Sequence, residues 1–240
     1  ILFIDIETVS ISQHYDQLNE EMQAHWYKKA IQLTRDPEIN PEASFAERAA
    51  IYAEFGKVVC IGLGVMRFPT DKSSPDLRLT VLQNHDEHQL LEEFSELLTK
   101  LNNPRLQLCG HNGKEFDFPY LSRRMLINGI ALPSVLNVAG KKPWEVNHID
   151  TLELWKFGDY KSFTSLSLLA SVFGIPTSKD DIDGSQVGEV YYQRQDLSKI
   201  ARYCQEDVRV TAQVYLRLQG LPALPAESII RSTPKTEANA

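Results

Sequence analysis

The run Ile1-Leu2-Phe3-Ile4-Asp5-Ile6-Glu7-Thr8 sets two acids, two residues apart, inside an otherwise apolar segment. Successive side chains on a strand point to opposite faces, so Asp5 and Glu7 share one face while Ile4 and Ile6 take the other. A run this rich in Ile, Leu and Phe reads as a central strand. There two bare carboxylates repel each other, and one is driven toward protonation unless a cation lies between them. Two readings follow: a partly exposed strand end with solvated acids, or a divalent-metal site at the end of a core strand. Further carboxylates downstream, in suitable contexts, decide between them.

At 240 residues, 42% apolar and 24% charged, the chain has the composition of a soluble globular protein and the length for one large domain. No run approaches a membrane-spanning length, and no basic-then-apolar leader is visible. Cys60, Cys109 and Cys204 are scattered, with no C-x-x-C pair. That usage fits a reducing compartment, so a cytoplasmic protein is expected, with neither a disulfide framework nor a zinc site. The net charge of −7 argues against a passive, charge-driven nucleic-acid binder, which is usually basic. It is compatible with an enzyme that meets phosphates through metal ions.

After the first strand, residues 10–55 form a polar, aromatic-dotted stretch. Tyr15, Leu18, Met22, Trp26 and Ile31 have roughly helical spacing, Ser44 to Phe55 reads as another helix, and Pro37 and Pro41 separate the two. This is a helical insertion, ended by Gly56. Lys57 to Met66 and Leu77 to Gln83 are strands joined by a turn from Pro69 to Asp76, completing an antiparallel meander. Asp86 with Gln89 resembles a capping box for a helix ending near Asn102-Asn103. Arg105 to Gly110 is a fourth strand, Pro119 to Asn128-Gly129 a helix, and His148 to Thr151 a short fifth strand. Ser162 to Phe173 is a helix stopped by Gly174, and Asp196 caps a last helix running to Gln219. The pattern is α/β: a mixed five-stranded sheet, three antiparallel strands then parallel ones, flanked by helices. One domain is expected over residues 1–219, with 220–240 a polar, Pro-rich tail.

Two later segments carry acids in suggestive places. In His111-Asn112-Gly113-Lys114-Glu115-Phe116-Asp117-Phe118-Pro119-Tyr120-Leu121, Asp117 falls where a strand has ended and a helix begins. Taken alone, Asp117 or Asn112 reads as an N-cap. In Tyr203-Cys204-Gln205-Glu206-Asp207, the i, i+4 spacing puts Tyr203 and Asp207 on one helix face, which Ile200, Val210 and Val214 mark as inward, while Glu206 reads as solvated.

Asp-x-Glu on a strand, Asn-x-x-x-Phe-Asp before a helix and Tyr-x-x-x-Asp on a late helix, in that order, resemble the DEDD superfamily of 3'-5' exonucleases in its tyrosine (DEDDy) branch. The Asn-x-x-x-Phe-Asp run followed by Pro-Tyr-Leu resembles the proofreading domain of family B DNA polymerases. A chain of this size is similar to the stand-alone bacterial proteins predicted to be exonucleases related to that domain. The resemblance runs from Ile1 to about Gln219, with the helical insertion its least typical part, and implies a ribonuclease H-like fold. It also implies roles. Asp5 would bridge two divalent metal ions, Mg2+ or Mn2+, with Glu7 and Asp207 on one and Asp117 on the other. Tyr203 would orient the attacking water.

The chemistry suits these residue types. Phosphodiester hydrolysis needs an activated water and neutralised charge on the phosphate and leaving oxygen, which two metals about 3.5–4 Å apart supply. Magnesium takes oxygen ligands and keeps several waters, so a few carboxylates suffice. Phenol, with an ordinary pKa of about 10, is a poor base at neutral pH, so the metal must acidify that water. The partner implied is a single-stranded nucleic-acid 3' end, with DNA favoured over RNA. A non-catalytic nucleic-acid-binding or partner-docking module on the same fold is the rival of a different class. Substrate contacts are expected from Thr8 and Asn112, from Phe116 and Phe163, and from Ser165 in the run Lys161-Ser162-Phe163-Thr164-Ser165-Leu166, which looks like the family's cleft-lining segment. Phe118 and Tyr120 are further stacking candidates, and Lys141, Lys142, Lys156, Lys161, Arg123 and Arg124 supply positive charge.

Two features are set aside. Lys179 to Gly184 hints at a calcium loop, but Lys179 and Val190 occupy ligand positions. His85 and His88 have no partner ligands and read as a polar helix start. Asp150 reads either as a further acid near the site or as a helix cap.

Overall fold

A computed structural model of the chain describes residues 1–68, 75–101, 103, 105–159, 161, 163–177 and 182–232. The opening run is strand β1 (Leu2–Ser10). The insertion folds as α1 (Glu20–Thr34), capped by Asn19, and α2 (Pro41–Arg48), capped by Asn40 with Pro41 in its first turn. Its aromatic residues build a small core of their own around the fully buried Trp26, Phe45 and Phe55. The Trp26 indole donates to the Pro41 carbonyl at 3.1 Å and ties the two helices together.

Strands β2 (Gly56–Arg67) and β3 (Asp76–Gln83) complete the antiparallel meander with β1. The connecting turn falls largely on residues 69–74, outside the described residues. Helix α3 (Glu87–Lys100) starts at Asp86, whose carboxylate accepts from His88 and Gln89 N–H. The reciprocal half of the expected capping box is replaced, because the Gln89 side chain accepts from Asn84 instead. Strand β4 (Leu108–Gly110) is shorter than expected, and α4 (Asp117–Ile127) begins two residues before Pro119. Strand β5 (Ile149–Asp150) leads directly into α5 (Thr151–Lys156), a helix the sequence pattern did not reveal.

Helix α6 (Leu166–Val172) begins later than the expected Ser162, because Ser165 caps it by accepting from Leu168 N–H. Helix α7 (Val187–Glu189) runs on into a π-helical turn at Val190–Arg194, also unanticipated. The stretch 178–181, which takes in the first half of the Lys179 to Gly184 run, lies outside the described residues, as do residues 102 and 162. Helix α8 (Leu197–Leu218) follows its cap Asp196 as expected. Among the described residues no helix is long and apolar enough to cross a membrane.

The segment expected as a tail is in part structured. Leu224 is buried, and its main chain is clasped by the Gln213 side chain at 2.7 and 3.0 Å. Strand β6 (Ile229–Arg231) then pairs parallel with β3. Its three residues are too few to show a strand period among prolines; residues 233–240 lie outside the described residues. The sheet therefore gains a sixth strand, in the order β5-β4-β1-β2-β3-β6. The parallel pairs flank the antiparallel meander, β4 and then β5 beyond β1, and β6 beyond β3.

One face of β1 packs Leu2, Ile4 and Ile6 against α3 and α4 through Leu90, Leu91, Phe94 and Leu121. From the other face, Phe3 and Val9 meet α8 residues, among them Cys204, Val208 and Ala212. The alternation of the strand therefore aims Asp5 and Glu7 at α8.

Candidate active site

Helix α8 reaches the sheet closely because β2 carries Gly62 and Gly64 on that face. A methyl group at Gly62 would lie 2.8 Å from Val208 Cγ2 and 2.9 Å from the Cys204 carbonyl oxygen. One at Gly64 would lie 2.7 Å from Val208 Cγ1. Gly62 is the cross-strand partner of Asp5, so the helix is closest where the acids are. On that helix Tyr203 and Asp207 stand one turn apart, and burial together with the charge of Asp207 raises the Tyr203 phenol above its ordinary range. Cys204 turns toward the sheet, its thiol donating to the Asp5 carbonyl at 3.4 Å. A bulge in the β1–β2 ladder falls between Glu7 and Thr8, an irregularity common beside active sites.

Asp117 arrives on the other edge of β1, beyond the end of its ladder with β4. Strand β4 pairs with β1 only at Leu2 and Phe3, which would leave the Ile6 N–H without a partner. Asp117 Oδ1 accepts it at 3.0 Å. The turn that delivers this acid is tight: Asn112 is left-handed at φ 61°, and a methyl at Gly110 would lie 3.0 Å from Gly113 Cα. Asp150 holds the turn. Its carboxylate accepts from the main chain of Asn112 (3.0 Å), Lys114 (3.0 Å), Leu152 (2.9 Å) and Glu153 (3.4 Å). The two open readings of Asp150 thus resolve to capping, of α5 and of the 112–114 turn together. His111 adds a second tie, bonding Thr151 Oγ1 and the Thr164 carbonyl at 2.9 Å each.

The four acids Asp5, Glu7, Asp117 and Asp207 act on one another electrostatically. Burial, then the charges of Glu7, Asp207 and Asp117, push the Asp5 carboxyl well above its ordinary range. Burial with Asp207 and Asp117 does the same to Glu7. Asp117 is pushed from 3.8 to about 7, chiefly by burial, against the opposing pull of the Ile6 N–H. The Tyr203 phenol is raised by burial and by the negative charges of Asp207, Glu7 and Asp5. Among the described residues no Lys or Arg forms an ion pair with Asp5, Glu7 or Asp117. Asp5 Oδ2 is buried with no hydrogen-bond partner. Ligand atoms of Asp5, Glu7 and Cys204 lie within 4.8 Å of one another. Buried acids with no cationic partner and an orphaned oxygen are the donor set a divalent cation fits.

A cavity of about 400 Å³ opens beside this cluster, lined by Tyr203, Asp207, Ser165, Ser167 and Thr177 among others. Ser165 stands on its rim, and Phe163, two residues before it, is 70% exposed. Of the other expected substrate contacts, Thr8 and Phe116 are committed to the fold. The Thr8 hydroxyl donates to the Ala50 carbonyl at 2.9 Å. Asn112 forms the left-handed turn, and the half-buried Phe116 packs against Tyr120 and the core on the α3–α4 face.

Phe118 and Tyr120 are core residues rather than stacking surfaces, since their rings fill the space between α4 and the sheet. Arg124 is not surface charge either: it is buried and forks onto Glu87, which also accepts the Val58 N–H. Glu206, read as solvated, is held between Arg209 and Arg231, the latter on β6 at 2.6 Å. Lys141, Lys142, Lys161 and Arg123 are exposed as expected, and Lys156 is half-buried. The sequence pattern did not reveal the places of Cys204 or of the pair Gly62 and Gly64, nor the hold of Asp150 on the 112–114 turn. The glycine pair had a visible signal, because glycines two apart in a buried strand mark a close approach.

The acids thus gather between the first strand of a mixed sheet and a late helix, and comparison with known proteins names the family. The chain belongs to the family described as "Predicted 3'-5' exonuclease related to the exonuclease domain of PolB", whose sequence profile matches residues 51–229. Asp117, Tyr203 and Asp207 fall inside that stretch; Asp5 and Glu7 precede it. The fold is similar to the solved structure of the family B DNA polymerase from the hyperthermophilic archaeon Pyrobaculum calidifontis. The TM-score is 0.53 at 16% identity, over 90% of this chain and 24% of the polymerase chain. This chain thus spans about a quarter of the polymerase it resembles.

Proposed function

We propose that the protein is a metal-dependent 3'-5' exonuclease that hydrolyses phosphodiester bonds from the 3' end of single-stranded DNA, releasing nucleoside 5'-monophosphates. The observation that carries the proposal is the coupling of Asp5, Glu7, Asp117 and Asp207, drawn from a strand, a helix start and a second helix, with no cation paired to the first three among the described residues. Two divalent ions, Mg2+ or Mn2+, would neutralise charge on the phosphate and leaving oxygen and acidify the attacking water. Asp5 would be shared between the ions, with Glu7 and Asp207 holding one. Asp117, whose Oδ1 is committed to the Ile6 N–H, would offer Oδ2 to the other.

Tyr203 stays protonated throughout the neutral range, because burial and neighbouring charge raise its pKa. It therefore acts as an orienting group: its proton goes to Asp207, and its oxygen is left to accept from the attacking water. The exposed Phe163 ring offers the terminal base a stacking surface, and Ser165 a polar contact at the rim.

The test is incubation of 5'-labelled single-stranded DNA and RNA with magnesium or manganese, alongside EDTA and Asp5→Ala. Stepwise shortening of DNA from the 3' end is expected, abolished by EDTA and slowed at least about a hundredfold in Asp5→Ala. Shortening of RNA alone would move the substrate to RNA. No shortening of either polymer with either metal would overturn the enzymatic reading, and an unaffected Asp5→Ala would put the site elsewhere.

A further inference from the structure

We propose that Cys204 gives Asp5 and Glu7 a third, soft ligand, so that this site also captures a thiophilic divalent ion, zinc or cadmium, through one sulfur and two carboxylate oxygens. The inference rests on the reading of Asp5 and Glu7 as metal ligands. Three observations support it. The ligand atoms of the three residues already lie within 4.8 Å of one another. Cys204 is fully buried on the face of α8 that meets Gly62, the strand partner of Asp5, so its sulfur is held at the acids by packing. Both acids have unspent capacity: Asp5 Oδ2 is buried without a partner, and Glu7, 8% exposed, accepts no hydrogen bond among the described residues.

Ligand preference then separates the ions. Magnesium takes oxygen donors and leaves a thiol idle. Zinc and cadmium favour thiolate. Zinc bonds sulfur at about 2.3 Å and carboxylate oxygen at about 2.0–2.2 Å, which puts tetrahedral donors roughly 3.5 Å apart. The side-chain torsions of Cys204 and Glu7 can supply the closure of about 1 Å that this requires. As the metal–sulfur bond forms, the thiol proton leaves to solvent. The ion then occupies the position Asp5 and Glu7 share, closing it to magnesium. Zinc is thereby an inhibitor of the magnesium-supported reaction.

Cadmium is the probe, because a cadmium–thiolate bond absorbs in the ultraviolet whether or not the protein cuts anything. Titrating cadmium into the metal-free full chain should raise this band to a one-to-one end point, reversed by EDTA. The band should vanish in Cys204→Ser and persist in Cys60→Ser/Cys109→Ser, where Cys204 is the sole thiol. Glu7→Gln should weaken the affinity tenfold or more with the thiol intact. No band in the wild type, a band surviving in Cys204→Ser, or none in the folded double variant would each overturn the proposal. A band in a protein that shortens no nucleic acid would sink the exonuclease reading and leave the soft-ligand site standing. Nuclease activity without a band would do the reverse.

Discussion

Gly62→Ala is a test of whether the approach of α8 to the sheet sets the site. The added methyl would sit 2.8 Å from Val208 Cγ2, 2.9 Å from the Cys204 carbonyl oxygen and 3.0 Å from Cys204 Sγ. Non-bonded carbons prefer about 3.5–4.0 Å, so α8 must retreat by roughly 0.7–1 Å. Overpacking of this kind costs about 1–3 kcal/mol. Replacing a strand glycine returns about 0.5–1 kcal/mol of it, leaving a net loss of about 1–2 kcal/mol. Asp207 and Tyr203 ride on the same turn of helix, and a misplacement near 1 Å at a reacting centre lowers rates about a hundredfold. Thermal unfolding followed by circular dichroism, and the rate of 3' shortening at saturating manganese well below the melting temperature, separate the two effects. Gly129→Ala is the control: its φ of 73° makes a side chain unfavourable, yet no atom lies within 4 Å of the added methyl. It should lose comparable stability and keep its rate. If Gly62→Ala loses activity only in proportion to its unfolded fraction, helix spacing does not govern the site and the reasoning is wrong.

The remaining predictions concern charge and the loops that carry the acids. In metal-free protein, folded Asp117 keeps its proton up to about pH 7 while the unfolded carboxyl loses its own near 3.8, so its contribution to stability falls as pH rises between those values. The wild type should therefore lose stability relative to Asp117→Asn across that window in EDTA and regain it with manganese; a wild type that gains on Asp117→Asn as pH rises would contradict this. Glu87→Gln leaves the buried Arg124 guanidinium without its counter-charge and should destabilise by about 3–5 kcal/mol in denaturant melts, with the cutting rate of the folded fraction unchanged. Asp150→Ala removes the acceptor of four main-chain N–H groups. It should slow cutting as well as lower the melting temperature, and hydrogen exchange at Asn112 and Lys114 should rise; unchanged exchange there would show that Asp150 does not hold the turn.

Long elements with strong periodicity were legible in the sequence: β1 to β3, α3, α4 and α8, with the caps Asp86 and Asp196. Of the short ones, β4 and β5 were legible and others were not. Strand β6, α5 and the π-helical turn each span only a few residues, too few for a period to emerge, and tertiary contacts such as the Gln213–Leu224 clasp define them. The same division holds in the site. Spacing suggested the grouping of Asp5 with Glu7 and of Tyr203 with Asp207, because both pairs are local. The settings of Glu206 and Arg124 were missed because Arg231 and Glu87 lie 25 and 37 residues away in the chain, and the hold of Asp150 on the 112–114 turn was missed because it spans 36 and 38. No local pattern records those meetings.

The bond from Ile6 N–H to Asp117 bears on how such a site can decay. The clustered acids repel one another in the absence of a cation, so a lineage released from selection for the reaction would gain stability by discarding Asp5 or Glu7 for small neutral residues. Position 117 is different, because its oxygen closes the end of a strand ladder whatever else it does. Drift there should stop at Asn, which keeps the acceptor and drops the charge. A descendant with Asn at 117 and neutral residues at 5 and 7 would be a retired enzyme whose architecture outlived its chemistry.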